Sequence, residues 1–312
     1  MNSKKNMRRT RKCAGSVQNR ASRTLAILTV LLSFLVPVPL GAETQVMYEG
    51  DSIYNHILIK QDAQERCMLF GRYSDQRQTC LNTAKPDLSV FEYTGMMFVG
   101  FSFHPETKDV ALIGLGGGYV PTVFNLHLPA VRLDTVEIDP LVYSLAQRYF
   151  SLKTTARQTI TVNDGRQYLK KTDRRYDQIW VDAFNTDYIP IHMTTREFLQ
   201  LAKSKLTKNG LVLQNVHNSN KLFDAHVTTF RAVFSHVYIF NGRNSSNSII
   251  VGVDKPLFTP PKFQSPAKGR MRIGSIDLAA EAEKYVPEPS IMPVAVLTDD
   301  FNPANLLLHQ EH

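Results

Sequence analysis

Five short apolar runs, at 110–115, 133–138, 158–162, 178–181 and 211–216, alternate with amphipathic stretches such as 141–150 and 195–206. No other feature constrains the chain as strongly, because parallel strands can be joined only by crossovers of helical length. The alternation predicts an α/β domain of βαβ units around a largely parallel sheet, spanning about 106–254.

What stands at the ends of these runs narrows the fold further. The first leads into Ile113-Gly114-Leu115-Gly116-Gly117-Gly118-Tyr119, a glycine turn ahead of a helical stretch, where Gly114, Gly116 and Gly118 let backbone approach a ligand closely. Glu137 ends the second run, 23 residues after Gly114, where a carboxylate can accept from both ribose hydroxyls. Asp164-Gly165 ends the third run and Asp182 the fourth. Taken singly, each has a plainer explanation, since an acid after a strand often caps the next helix. Together they deliver a glycine turn and three carboxylates to the rim where open α/β sheets bind ligands.

The ligand class follows from what the turn lacks. A GxGxxG fingerprint would need glycine at 119, where Tyr119 stands, so NAD is disfavoured; no Gly-Lys-Ser/Thr follows to make a phosphate loop. A ligand with ribose and adenine but no phosphate fits, namely S-adenosylmethionine or its decarboxylated form. It acts as a co-substrate, with no permanently bound cofactor. Glu137 is expected to hold the ribose and Asp164 the adenine amino group.

Outside this domain, the first 24 residues carry eight basic side chains and no acid, and an apolar run at 25–36 leads through Pro37 and Pro39 to Gly41-Ala42. This is the pattern of a secretory signal peptide at 1–42; retained, it is a marginal membrane anchor. The chain's net charge of +8 belongs to that leader: without its eight basic residues, 28 basic residues face 28 acidic ones. Nucleic-acid binding thereby loses its electrostatic support. Cys13 goes with the leader, while Cys67 and Cys80 form either a disulfide or two thiols in a β-region at 43–105. No CxxC or Cys/His cluster with zinc-ligand spacing occurs, and His217 and His226 read as surface or capping residues. Trp180 is expected in the core. Beyond 254 the chain is Pro-, Lys- and Ser-rich, a linker followed by a C-terminal segment with a helix near 278–285.

From about Tyr48 to Asn215 the sequence resembles the spermidine synthase (polyamine aminopropyltransferase) family. The likeness is carried by Val136-Glu137-Ile138-Asp139, Asn163-Asp164-Gly165-Arg166, Tyr176-Asp177 and Val181-Asp182. Phe91-Glu92-Tyr93-Thr94, Ile189-Pro190 and Leu297-Thr298-Asp299-Asp300 are similar to a divergent bacterial branch of it. The resemblance implies a Rossmann-like, S-adenosylmethionine-type methyltransferase fold with a small N-terminal β-domain, usually as a homodimer. It implies aminopropyl transfer from decarboxylated S-adenosylmethionine to an amine. It also adds Asn55 to the nucleoside site and places Gln78, Tyr93, Asp187 and Pro190 on the amine side.

Three positions depart from the family pattern: Gly117 replaces an acid in the glycine turn, Thr94 a histidine and Asn185 a second aspartate, with Asp187 two residues on. A dication is bound less well where carboxylates are lost. Asp182, at the end of an apolar strand, is the expected general base, its pKa raised by burial. A methyltransferase on the same scaffold, or a nonenzymatic exported binding protein, are the alternatives.

Overall fold

The computed structural model describes residues 44–71, 77–183, 190–256, 272–287 and 289–310. The leader, Cys13, Asn185 and Asp187 lie outside them. No helix among the described residues is long and apolar enough to cross a membrane.

The described residues open with an antiparallel sheet of β1 (Gln45–Asp51), β2 (His56–Asp62), β3 (Glu65–Phe70) and β4 (Arg77–Asn82), in that order. Alternation along these strands gives two faces. Ile57, Ile59, Met68 and Leu81 face inward and pack on Val142, Leu145 and Phe150. Cys67, Leu69 and Cys80 lie in a separate cluster. Cys67 and Cys80 are register partners, with Cα atoms 4.1 Å apart, and are joined by a disulfide. Closing a loop of this length stabilises the fold by about 3 kcal/mol.

Residues 92–103 depart from the expected β-region. They form α1 (Glu92–Met96), a 3-10 turn (Met97–Val99) and α2 (Gly100–Phe103). The run Met96-Met97-Phe98-Val99 looks strand-like by composition, yet all four side chains are buried, and Phe98 meets Trp180 edge-on at 5.0 Å. Tertiary packing here overrides local propensity.

The main sheet follows as β5 (Asp109–Ile113), α3 (Tyr119–His127), β6 (Arg132–Glu137), α4 (Pro140–Tyr149), β7 (Gln158–Val162), α5 (Gly165–Lys171) and β8 (Tyr176–Val181). Then come α6 (Arg196–Ser204), β9 (Leu206–His217), α7 (Lys221–Arg231), β10 (His236–Asn241) and β11 (Asn247–Val253). Strand order is β10-β11-β9-β8-β5-β6-β7, parallel from β9 to β7, with the β10–β11 hairpin antiparallel at one edge. This is the doubly wound α/β fold that the alternation predicted. The hairpin is the part that the alternation did not show.

Both faces of β5 are covered: Val110 and Leu112 join Phe98, Phe124 and Trp180, while Ala111 and Ile113 join Phe198 and Phe230. Trp180 is fully buried, as expected. After the main sheet, α8 (Leu278–Ala282) is shorter than the 278–285 helix expected, because Tyr285 bridges Phe240 at the sheet edge instead. The last element among the described residues is α9 (Ala304–Leu308).

Register is what builds the site. Ile113 pairs with Val136 on one side and Val181 on the other, Glu137 pairs with Val162, and Val181 pairs with Gln214. The residues just past these partners, Gly114, Asp182 and Asn215, therefore emerge together with Glu137 on one rim.

Candidate active site

A cleft of about 710 Å³ opens at that rim. Asn55, Gln78, Tyr93, Gly114, Gly116, Glu137, Asp164, Gly165, Asp182 and Pro190 all line it. Of the residues expected there, Gly118 stands off the wall as the left-handed N-cap of α3 (φ +80°), and Asp187 is outside the described residues.

Glu137 is buried, and its two oxygens accept from the backbone N–H of Leu115 and of Asp139, both at 3.0 Å. Burial pushes its pKa up, against those two N–H groups. Each carboxylate oxygen keeps a second lone pair for a ligand hydroxyl. The N-terminal sheet is fastened beside it: Ser52 Oγ donates to Asp139 Oδ2 (2.5 Å) and holds the backbone N–H of Asn55 (2.9 Å). Thr79 Oγ1 accepts from Gly117 N (3.2 Å). These clamps make the small sheet one wall of the cleft, and sequence reasoning did not foresee them.

Asp164 caps α5 by accepting from Gln167 N (2.8 Å) and pairs with His192 Nε2 (2.7 Å), which holds its pKa down. Behind it, Arg166 grips Asp299 with two hydrogen bonds (2.7 and 2.5 Å), and Asp299 also accepts from Thr195 Oγ1 (2.7 Å). The C-terminal Leu297-Thr298-Asp299-Asp300 segment thus braces the Asp164 corner of the cleft.

Asp182 follows β8 on the same rim. Burial raises its pKa to about 6, opposed by one hydrogen bond from Asn215 Nδ2 (3.0 Å). Asn215 Oδ1 in turn accepts from Asn247 Nδ2 (3.0 Å), so a chain of two amides from β11 and β9 fixes one carboxylate oxygen. Tyr93 is partly buried, and desolvation of its hydroxyl together with the charge of Asp182 keeps that hydroxyl protonated. Next to it, burial would raise Glu92, but Lys284 at 2.9 Å and the backbone N–H groups of Arg243 and Asn244 bring it down to about 2. Glu92 therefore serves as an anchor between α1 and the β10–β11 turn.

Two of the departures acquire physical reasons. A Cβ at Gly117 would stand 2.8 Å from Phe150 Cδ1 and 3.0 Å from Thr79 Oγ1, so the turn is packed too tightly there for a side chain. Thr94 is consumed locally, bonded to Phe91 O (2.8 Å) and Ser89 Oγ (2.5 Å).

His217 is exposed, as expected, although it lines the cleft. His226 is not a surface residue: it is 2 % exposed on the inner face of α7 and lines the cleft. Leu222 one turn earlier is buried as well, and this shared apolar stripe draws the histidine inward. Burial pushes its pKa down to about 4, leaving it neutral at pH 7.

A glycine turn and three strand-end carboxylates on a doubly wound sheet, walled by a small β-sheet, place the chain in the Rossmann-like α/β class. The Spermine/spermidine synthase domain matches residues 90–241. The polyamine aminopropyltransferase of Vibrio vulnificus (strain CMCP6) is 33% identical over 295 residues, covering 90% of this chain and 97% of that protein. The chain belongs to the spermidine synthase (polyamine aminopropyltransferase) family. Among solved structures, a probable spermidine synthase from Corynebacterium glutamicum aligns with a TM-score of 0.61 at 20% identity, over 82% of this chain and 98% of that one. A spermidine synthase in complex with the transition-state analogue AdoDATO aligns at 0.60 and 20% identity, over 78% and 85%. At these identities the two structures speak for the fold.

Proposed function

We propose that the cleft binds decarboxylated S-adenosylmethionine and transfers its aminopropyl group to an amine, with Asp182 as general base. The observation that carries this reading is a partly buried carboxyl, its pKa raised to about 6 by desolvation, on the same rim as the glycine turn and Glu137. Glu137 accepts from the ribose hydroxyls, and Asp164, oriented by His192 and the first turn of α5, accepts from the adenine amino group. Gly114 and Gly116 let the backbone close against the ligand. The acceptor nitrogen attacks the carbon beside the sulfonium, the carbon–sulfur bond breaks to release methylthioadenosine, and the nitrogen's proton passes to Asp182. A carboxyl with a pKa near 6 is mostly ionised at pH 7 yet a better proton acceptor than an ordinary aspartate. Tyr93 and Pro190 line the acceptor side. Membership of the family and the AdoDATO complex of a protein of the same fold support the donor assignment.

Titrating the protein with decarboxylated S-adenosylmethionine, S-adenosylmethionine and methylthioadenosine tests the reading. The decarboxylated donor is expected to bind tightest, and Glu137→Gln to weaken it by about 1 to 3 kcal/mol through loss of charge-assisted hydrogen bonds. Preference for the carboxylated donor would point to methyl transfer instead.

The base also sets a pH dependence. Asp182 must be ionised to accept a proton, so kcat/KM is expected to rise with pH through about 6. Asn215→Leu removes the hydrogen bond that favours the ionised form, so that limb should move up by about one pH unit. An unchanged profile in the folded variant would show that Asn215 does not tune the base.

A further inference from the structure

Helix α7 contributes Asn220, Leu222 and His226 to the wall of the cleft, and none of the three is a carboxylate. Asn220 occupies the N-cap of α7, where an asparagine ordinarily spends its side-chain oxygen on a free backbone N–H. Here it makes no capping bond, and Oδ1 is buried without a hydrogen-bond partner, in a residue only 7 % exposed. His226 Nε2 is likewise buried and unpartnered, and its ring is 2 % exposed. Leaving a buried polar atom unsatisfied costs about 1–3 kcal/mol, and folded proteins keep few such atoms. Two on one helix, both in residues of one cleft wall, mark a place where a ligand's own donors complete the bonding. Between them in sequence, Leu222, with Leu308 of α9, gives the same wall an apolar stretch.

We infer that Asn220 and His226 form the subsite for the far end of the acceptor amine, taking an N–H or O–H donor at the end of an aliphatic chain that runs along Leu222 and Leu308. The inference rests on the aminopropyl-transfer reading for the identity of the ligand, and on its own observations for the location of the subsite. A neutral imidazole and an amide oxygen both accept hydrogen bonds, so the subsite selects for a donor rather than for a second charge. This suits a wall in which the glycine turn carries no acid. The attacking nitrogen lies at the Asp182 end and the recognised donor at the α7 end.

Three acceptors of equal chain length separate the possibilities: putrescine, 4-amino-1-butanol and butylamine. In the parent protein, both donor-ended amines are expected to exceed butylamine in kcat/KM by about tenfold or more, chiefly through KM, the size of one or two buried hydrogen bonds. In His226→Leu and Asn220→Ala that ratio should fall towards one, and His226→Gln should recover part of it. Putrescine favoured over the amino alcohol would identify an ammonium as the donor, and near equality a hydroxyl or ammonium without distinction; both outcomes support the subsite. An unchanged ratio in folded His226→Leu and Asn220→Ala overturns it. Equilibrium binding of the same three amines to protein saturated with methylthioadenosine is measured in parallel. If no amine is turned over but donor-ended amines still bind in a His226-dependent way, the transfer reading fails and the subsite stands. If they bind no better than butylamine, the subsite fails.

Discussion

Asp182→Asn is expected to lower turnover about a hundredfold or more while leaving donor affinity within a few fold, as removal of a general base does. The substitution is nearly isosteric, and Asn215 can still donate to the new amide oxygen, so geometry is preserved and proton acceptance alone is lost. Stability supplies an independent readout. The folded-state pKa of about 6 lies above the ordinary carboxylate value, so the folded protein holds this proton more tightly than the unfolded chain does. The cost to stability is absent at low pH and fully present above about pH 6. Asp182→Asn removes it, and the variant should melt at or above the parent's Tm at pH 8, the stability–activity trade-off of a strained site. A variant that turned over at the parental rate would refute the assignment of Asp182 as base. One that was inactive but clearly less stable would point to a structural role.

Gly114→Ala is expected to be the most damaging single methyl on the rim. Gly114 has φ +103°, and a Cβ there would stand 2.1 Å from the carbonyl oxygen of Asp182. Backbone cannot yield as a flexible side chain does, so β8 and β5 would have to separate where Asp182 N donates to Ile113 O (2.8 Å). Left-handed strain together with the clash is worth more than about 3 kcal/mol. In a domain of this size that lowers Tm by about 6 to 12 °C, and any folded remainder should bind donor poorly because the turn and the base shift together. A parental Tm and parental donor affinity would show that the turn opens freely and that the close approach is not required.

Much of this cleft's lining is legible in the sequence. Glycine and carboxylate at the ends of β5 to β8 announced a rim, because parallel strands joined by right-handed crossovers bring their carboxyl ends to one side. Asn55, Gln78, Tyr93 and Pro190 came from the family resemblance, and all four line the cleft. Gly118 did not join them, since its left-handed backbone is spent on starting α3. Asn215 and Asn247 gave no signal: a polar residue near a strand end is common, and their chain to Asp182 exists only once β11 lies antiparallel against β9. His226 is buried against the sequence expectation, because one histidine on an amphipathic helix carries no mark of which face will be covered; Leu222 and the packing of α7 decide that.

The sequence by itself determined the doubly wound sheet, the glycine turn, and the strand-end positions of Glu137 and Asp182, the carboxylates proposed as ribose ligand and base, because strand-and-helix periodicity and strand ends are local properties of the chain. Only the tertiary structure decided that 92–103 is helical, that Cys67 meets Cys80, that Glu92 is held by Lys284 and that α7 turns Asn220 and His226 into the cleft. Each of these depends on which distant surfaces come into contact, and that is set by burial and register across the whole fold.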